Sequence, residues 1–176
     1  MLRSVARTFF YCVVLAFISR DASAQNAPAQ APPETVSTSG PRVGITYLSD
    51  DVRHTLVEED SIDVGPVISQ FGWQWERRFL SSSTGWTGVT EWVLLFGGLD
   101  QGVALPSLSW LVGLRTVKGV EFALGPNITP VGVGLAGAAG VTFRAGSLNV
   151  PVNLAVVPTK AGVRVSLLAG FNSRRH

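Results

Sequence analysis

Among the groups able to move protons or hold metals, His54 has the most suggestive neighbours: Asp50, Asp51, Glu58 and Glu59 lie within five residues of it. That setting would suit a metal or an acid/base role. A lone imidazole in an acidic, solvated segment is, however, far more often simply solvated. The single cysteine, Cys12, sits in an N-terminal apolar run expected to be removed on maturation. Its loss excludes thiolate catalysis, disulfides and Cys-ligated zinc. No Ser-His-acid order can be placed, and a lipid hydrolase would need a nucleophile and a base on neighbouring positions. Gly132 to Gly140 lacks the strand-to-helix setting of a phosphate loop. Asn127-Ile128-Thr129 matches a glycosylation sequon but has a proline on either side and reads as a loop. The sequence therefore calls for no catalytic residue, no metal ligand and no cofactor.

What remains is a set of charges with a regular placement: Glu76, Arg78, Glu91, Arg115, Glu121, Arg144 and Arg164. Each falls on the non-apolar side of an alternating segment, so the chemistry they offer is mutual pairing rather than turnover. Their positions are set by strands. Val67, Phe71, Trp73, Trp75 and Phe79 share one parity, against Ile68, Gln70, Gly72, Gln74, Glu76 and Arg78. The pattern recurs as Leu108, Trp110, Val112 and Leu114 against Ser107, Ser109, Gly113 and Arg115, and as Val120, Phe122 and Leu124 against Glu121, Ala123 and Gly125. It is sharpest over residues 131–145, 148–157 and 162–172, and less clean between Trp86 and Leu99. With a shorter candidate from Val43 to Leu48, eight strands result: 42–49, 66–79, 86–98, 105–116, 119–126, 131–145, 148–157 and 162–172. The predicted fold is all-β, a single up-and-down antiparallel barrel.

Turn chemistry checks this independently. A two-residue loop Gly146-Ser147 sets Ala145 opposite Leu148 and matches the apolar parities of the strands it joins. A three-residue loop Val117-Lys118-Gly119 does the same for its pair, with Gly119 free to take the left-handed position. This register makes opposed numbers sum to 236, so Arg115 faces Glu121 and the two are predicted to form a cross-strand ion pair inside the barrel.

The chain has 176 residues, enough for one domain. Arg3 and Arg7, the apolar run Phe9–Ile18 and Ala22-Ser23-Ala24 predict a signal peptide over 1–24. Ten apolar residues fall short of the ~20 a spanning helix needs. Residues 25–41, rich in Ala, Pro, Gln, Ser and Thr, read as a disordered linker, and 42–176 as the barrel domain. Removing Arg3, Arg7, Arg20 and Asp21 takes 14 basic and 12 acidic residues to 11 of each, which removes the charge argument for a nucleic-acid partner. Residues 25–63 hold seven acidic side chains against two arginines. The acidic stretch 50–64 is read as the longest loop, facing outward, with both termini on the periplasmic side.

Only 15% of the chain is charged, below the quarter usual for soluble domains. The non-apolar face is mostly Gly, Ala, Ser, Asn and Gln, which would fill a narrow lumen better than coat a soluble surface. A membrane barrel with Trp, Phe, Leu and Val toward lipid is favoured, and the tryptophans at 73, 75, 86, 92 and 110 are read as a lipid-facing belt. The alternative is a soluble periplasmic, lipocalin-like barrel holding a small apolar ligand.

Residues 42–172 resemble the small eight-stranded outer-membrane barrels of Gram-negative bacteria, most visibly in Pro66–Phe79 (PVISQFGWQWERRF) and in the last strand. Lys160, Gly162, Val165 and Leu167 take the spacing that the assembly machinery of that class reads, with aliphatic residues at its aromatic positions. The resemblance implies outer-membrane lipid and the barrel assembly machinery as partners. That class includes scaffolds, adhesins and lipid-modifying enzymes, so the resemblance does not fix an activity. With no catalytic motif in the chain, a non-enzymatic structural or interaction role is expected, and a lipid-modifying enzyme is a distant third reading.

Overall fold

The computed structural model describes residues 36–83, 85–145 and 148–174. The expected signal peptide, residues 25–35 of the expected linker and the Gly146-Ser147 corner lie outside them. Eight long strands run in chain order: β1 (Ser37–Leu48), β2 (Val67–Ser81), β3 (Trp86–Gly97), β4 (Leu105–Thr116), β5 (Val120–Thr129), β6 (Gly132–Ala145), β7 (Leu148–Thr159) and β8 (Gly162–Gly170). A helix, α1 (Asp50–Asp60), lies between β1 and β2, and a two-residue strand, β9 (Ser173–Arg174), returns to β1. Each of the eight long strands pairs antiparallel with its chain neighbours, and β1 pairs with both β2 and β8, which closes the sheet. The architecture is an up-and-down antiparallel barrel, as the alternation predicts.

The parity of the side chains sorts the two faces. Phe71, Trp73, Trp75, Trp92, Trp110, Leu114, Phe122, Leu135, Phe143 and Leu154 all stand exposed on the outer wall. Gln70, Gln74, Glu76, Glu91, Ser109, Arg115, Glu121 and Asn127 are buried within. A lipocalin-like barrel would show the reverse, so the soluble alternative fails on the direction of its apolar face. The register across the β4–β5 corner is the expected one: Leu108 faces Ile128, Val112 faces Leu124 and Arg115 faces Glu121. Gly119 takes φ 84° in the three-residue loop, where a side chain would be strained. Ala145 faces Leu148.

Four expectations are corrected. The barrel begins at Ser37, not at 42, because Ser37–Pro41 pair with Trp73–Arg77 and continue the ladder that a Ser, Thr, Gly and Pro composition had assigned to the linker. The fifth strand does not stop at 126: Asn127-Ile128-Thr129 belongs to β5, opposite Gly134, Val133 and Gly132 in turn, so the sequon is no loop. The tryptophans all face outward, as expected, but they do not encircle the barrel: all five lie on the adjacent strands β2, β3 and β4, with Trp92 and Trp110 stacked at 6.1 Å. The acidic stretch 50–64 is largely helical.

That helix closes one mouth. Ser49 supplies its N-cap position, Asp50 and Asp51 suit the positive end of its dipole, and Ser61 ends it in the left-handed conformation. Val52 and Leu56, four residues apart, share its buried stripe. They pack with Leu48, Val64 and Ile68 into an apolar cap, flanked by Ile62, Val103, Leu105 and Val131. Arg53 Nε donates to the Val64 carbonyl (2.9 Å), and the Val163 amide donates to Ser49 Oγ (3.0 Å), tying the helix to both sides of the rim. A Cβ at Gly162 would stand 3.0 Å from the Val52 side chain, so glycine there leaves room for the helix.

Candidate functional site

Toward the opposite mouth, β2, β3, β4 and β5 aim Glu76, Glu91, Arg115 and Glu121 into the lumen at matching heights: Glu76 faces Glu91 across one ladder and Arg115 faces Glu121 across another. Arg115 is the hub. It donates to both oxygens of Glu76 (2.6 and 2.7 Å), pairs with Glu121, and lies 3.7 Å from Glu91. The fork shape of guanidinium makes this possible, since two parallel N–H bonds take one carboxylate while the remaining donors take the next. Arg78 adds a contact to Glu76 at 3.3 Å. Glu76, Glu91 and Glu121 are almost wholly buried, and a depression of about 300 Å³ lined by Arg78, Arg115, Thr116 and Thr142 opens onto the cluster from that mouth.

Three further residues complete the site. Arg42 Nε donates to Gln74 Oε1 (2.9 Å), Gln74 Nε2 donates to Glu91 (2.7 Å), and Arg42 also donates to Asn172 Oδ1 (2.7 Å). None of Arg42, Gln74 and Asn172 is among the site residues singled out from sequence. Arg42 could have been: the outward parity of Val43, Ile45 and Tyr47 places it on the inner face, where it is 1% exposed.

Of the seven charges expected in one network, Glu76, Arg78, Glu91, Arg115 and Glu121 are together. Arg164 is not. It lies under the helical cap, next to Leu48 and Val157, and donates to Asn127 Oδ1 (2.7 Å). Arg144 holds register with Asn149, and its side chain lies outside the described residues. Between the two polar zones the lumen is apolar, filled by Val93, Leu95, Leu111, Ala123, Ala136, Val157 and Leu168. Small residues and paired charges alone were expected there. Leu95 and Leu111 show that the less regular third strand and its neighbour also turn bulky side chains inward.

Oxygens of Glu76, Glu91 and Glu121 lie within 4.8 Å of one another, a spacing that a hard cation could bridge. Arg115 already occupies that position as the neutralising cation, with Arg78 beside it. His54 is exposed on α1 with Nδ1 3.1 Å from Glu58. Beyond the cap, Asp100 receives the Ser69 amide (3.1 Å) and the Ser69 hydroxyl, which hold its carboxyl below the usual range.

No protein-family model matches the sequence, and no curated protein matches it. Solved structures do. The crystal structure of Ail, the attachment invasion locus protein of Yersinia pestis, superposes with a TM-score of 0.50 at 13% identity, covering 80% of this chain and 97% of that one. Ail in a phospholipid bilayer nanodisc gives 0.48 at 14% identity over 81% and 100% of the two chains. Ail in complex with the heparin analogue sucrose octasulfate gives 0.48 at 12% identity over 80% and 97%. At such identity the crystal-structure likeness concerns fold alone: the chain has the architecture of a small eight-stranded outer-membrane barrel.

Proposed function

We propose that the protein is a non-enzymatic, non-conducting barrel of the outer membrane with a structural or interaction role. The observation that carries this reading is a lumen filled from mouth to mouth inside an apolar wall. One end is stoppered by Val52 and Leu56 of α1, the middle by Leu95, Leu111 and Leu168, and the other by the Arg115 cluster. Two lumenal voids are each about 50 Å³, room for a few waters and far below the 300 Å³ or more of a ligand pocket. The outer wall exposes large apolar side chains on every long strand, a surface suited to lipid and costly in water. Outer-membrane lipid and the barrel assembly machinery are accordingly the proposed partners. With the middle of the lumen full, binding would fall to its two ends, the depression of about 300 Å³ over the Arg115 cluster and the cap. On the cap Asp50, Asp51, Glu58, Glu59, Asp60 and Asp63 are all exposed, a face that would suit a basic partner.

Fractionation and conductance test this together. The folded protein should be recovered with outer membranes and should give no stable conductance steps in planar bilayers. Recovery of folded protein from the detergent-free periplasm, or reproducible single-channel openings, would refute it.

A further inference from the structure

Arg164 differs from every other buried arginine described. Arg42 reaches Glu91 through Gln74 and Arg115 has three carboxylates, but Arg164 has none within ion-pairing distance among the described residues. It is 9% exposed, its one hydrogen bond goes to the neutral amide of Asn127, and its Nε is buried without a partner. An isolated charge removed from water is expensive unless something of opposite sign accompanies it.

The space around it is shaped for such a companion. Arg164 lines one of the 50 Å³ voids together with Gln70, Thr46, Ser166, Ser107 and Asn127, beneath Val52 and Leu56 of the cap. The hydroxyls there have protons to give. Asn127 Nδ2 donates to Ser107 Oγ (2.8 Å), which leaves the Ser107 proton free. Thr46 and Ser166 bond each other at 2.7 Å, so one proton of that pair is also free. Gln70 Oε1 is a second buried atom without a partner. Turning the Gln70 amide over would present its NH₂ at that place, and the two orientations have the same shape. The site thus combines one uncompensated cation, several donors and no carboxylate.

We propose that this chamber is a binding site for a small monovalent anion of the halide class, chloride under ordinary conditions, held by Arg164 Nε with the surrounding hydroxyls and Gln70. The void admits a monatomic ion with a water or two and excludes a phosphate ester or a lipid headgroup, so size sets the selectivity. The apolar cap above it makes exchange with bulk solvent depend on movement of α1.

Bromide is the probe, because it substitutes for chloride and scatters anomalously. Crystals of the refolded, full-length barrel grown in bromide should show an anomalous peak in contact with Arg164. In urea unfolding at constant ionic strength, replacing gluconate with bromide should raise the midpoint by roughly 0.5–1.4 M per tenfold bromide above saturation. The Asn127→Asp variant places a carboxylate where the Arg164 guanidinium already donates, supplying an internal counter-ion. It should fold, and its midpoint should no longer respond to bromide. Arg164→Met should also lose the response, although removing the cation could impair folding, which is why the carboxylate variant is the decisive one. No anomalous density at Arg164, or a bromide response equal in wild type and Asn127→Asp, would overturn the proposal.

Discussion

Replacing Arg115 with alanine would leave Glu76, Glu91 and Glu121 crowded in the lumen, with Arg78 touching only Glu76 and Arg42 reaching Glu91 only through Gln74. Breaking a buried ion pair by removing one partner typically costs ~3–5 kcal/mol. Arg115 serves two carboxylates directly and a third at 3.7 Å, so the upper end of that range, about 5 kcal/mol, is expected. Glu121→Ala is not its mirror image. Arg115 would keep both bonds to Glu76, and the loss of one of three carboxylates within 4.8 Å would relieve their repulsion. A charged hydrogen bond worth ~1.5–3 kcal/mol is lost, and part of that is returned, leaving about 1–2 kcal/mol. In the Arg115→Ala background the same change deletes an unpaired buried carboxylate and should raise stability. Urea unfolding of the refolded barrel, followed by tryptophan fluorescence, reads all four proteins of the cycle. Additive effects, or a Glu121→Ala loss as large as that of Arg115→Ala, would refute Arg115 as the hub.

Two further outcomes follow from the cap and its neighbour. Val52→Asp puts a carboxylate at a position that is 0% exposed, so α1 should undock with the loss of ~1.5–3 kcal/mol of apolar burial while the barrel persists; trypsin should then cut at Arg53 far faster than in wild type, and equal rates would show that the helix is not held by this contact. The Asp100 carboxyl is depressed by Ser69, so its bonds are present above the ordinary carboxylate range and are lost as pH falls through its lower folded value. The Ser69 amide resonance should therefore titrate with a midpoint below the ordinary aspartate value, and a midpoint at or above that value would contradict the contact.

The barrel was legible because its signal is period two and repeats on every strand: a single parity rule places Trp73 outside and Gln74 inside, and loop length then fixes Arg115 opposite Glu121. The helix was not. Only Val52 and Leu56 of its eleven residues are buried, and with exposed Val57 they are the three apolar residues of DDVRHTLVEED, so the segment looks like a solvated acidic loop. The available signals were Ser49 followed by two aspartates, a helix start, and the four-residue spacing of Val52 and Leu56. Arg164 was misplaced for a different reason. Parity says inside or outside but nothing about height, and height comes from register between strands. Arg164 follows the β7–β8 turn by only two residues, which puts it at the capped mouth and away from Arg115.

The two arginine settings make opposite demands on solvent. At Arg115 the cation is matched by carboxylates of the protein, and buried pairs are screened weakly, so added salt of any kind should change the cluster little. At Arg164 the protein supplies dipoles and hydroxyls but no anion, so the identity of the salt matters more than its strength. Both lie inside one closed wall, and the apolar side chains of Leu95, Leu111 and Leu168 separate them. A charged residue in a barrel lumen therefore says little by itself. Whether it staples strands or waits for a solute is decided by what the facing strand offers at the same height: Glu121 in one case, Asn127 in the other.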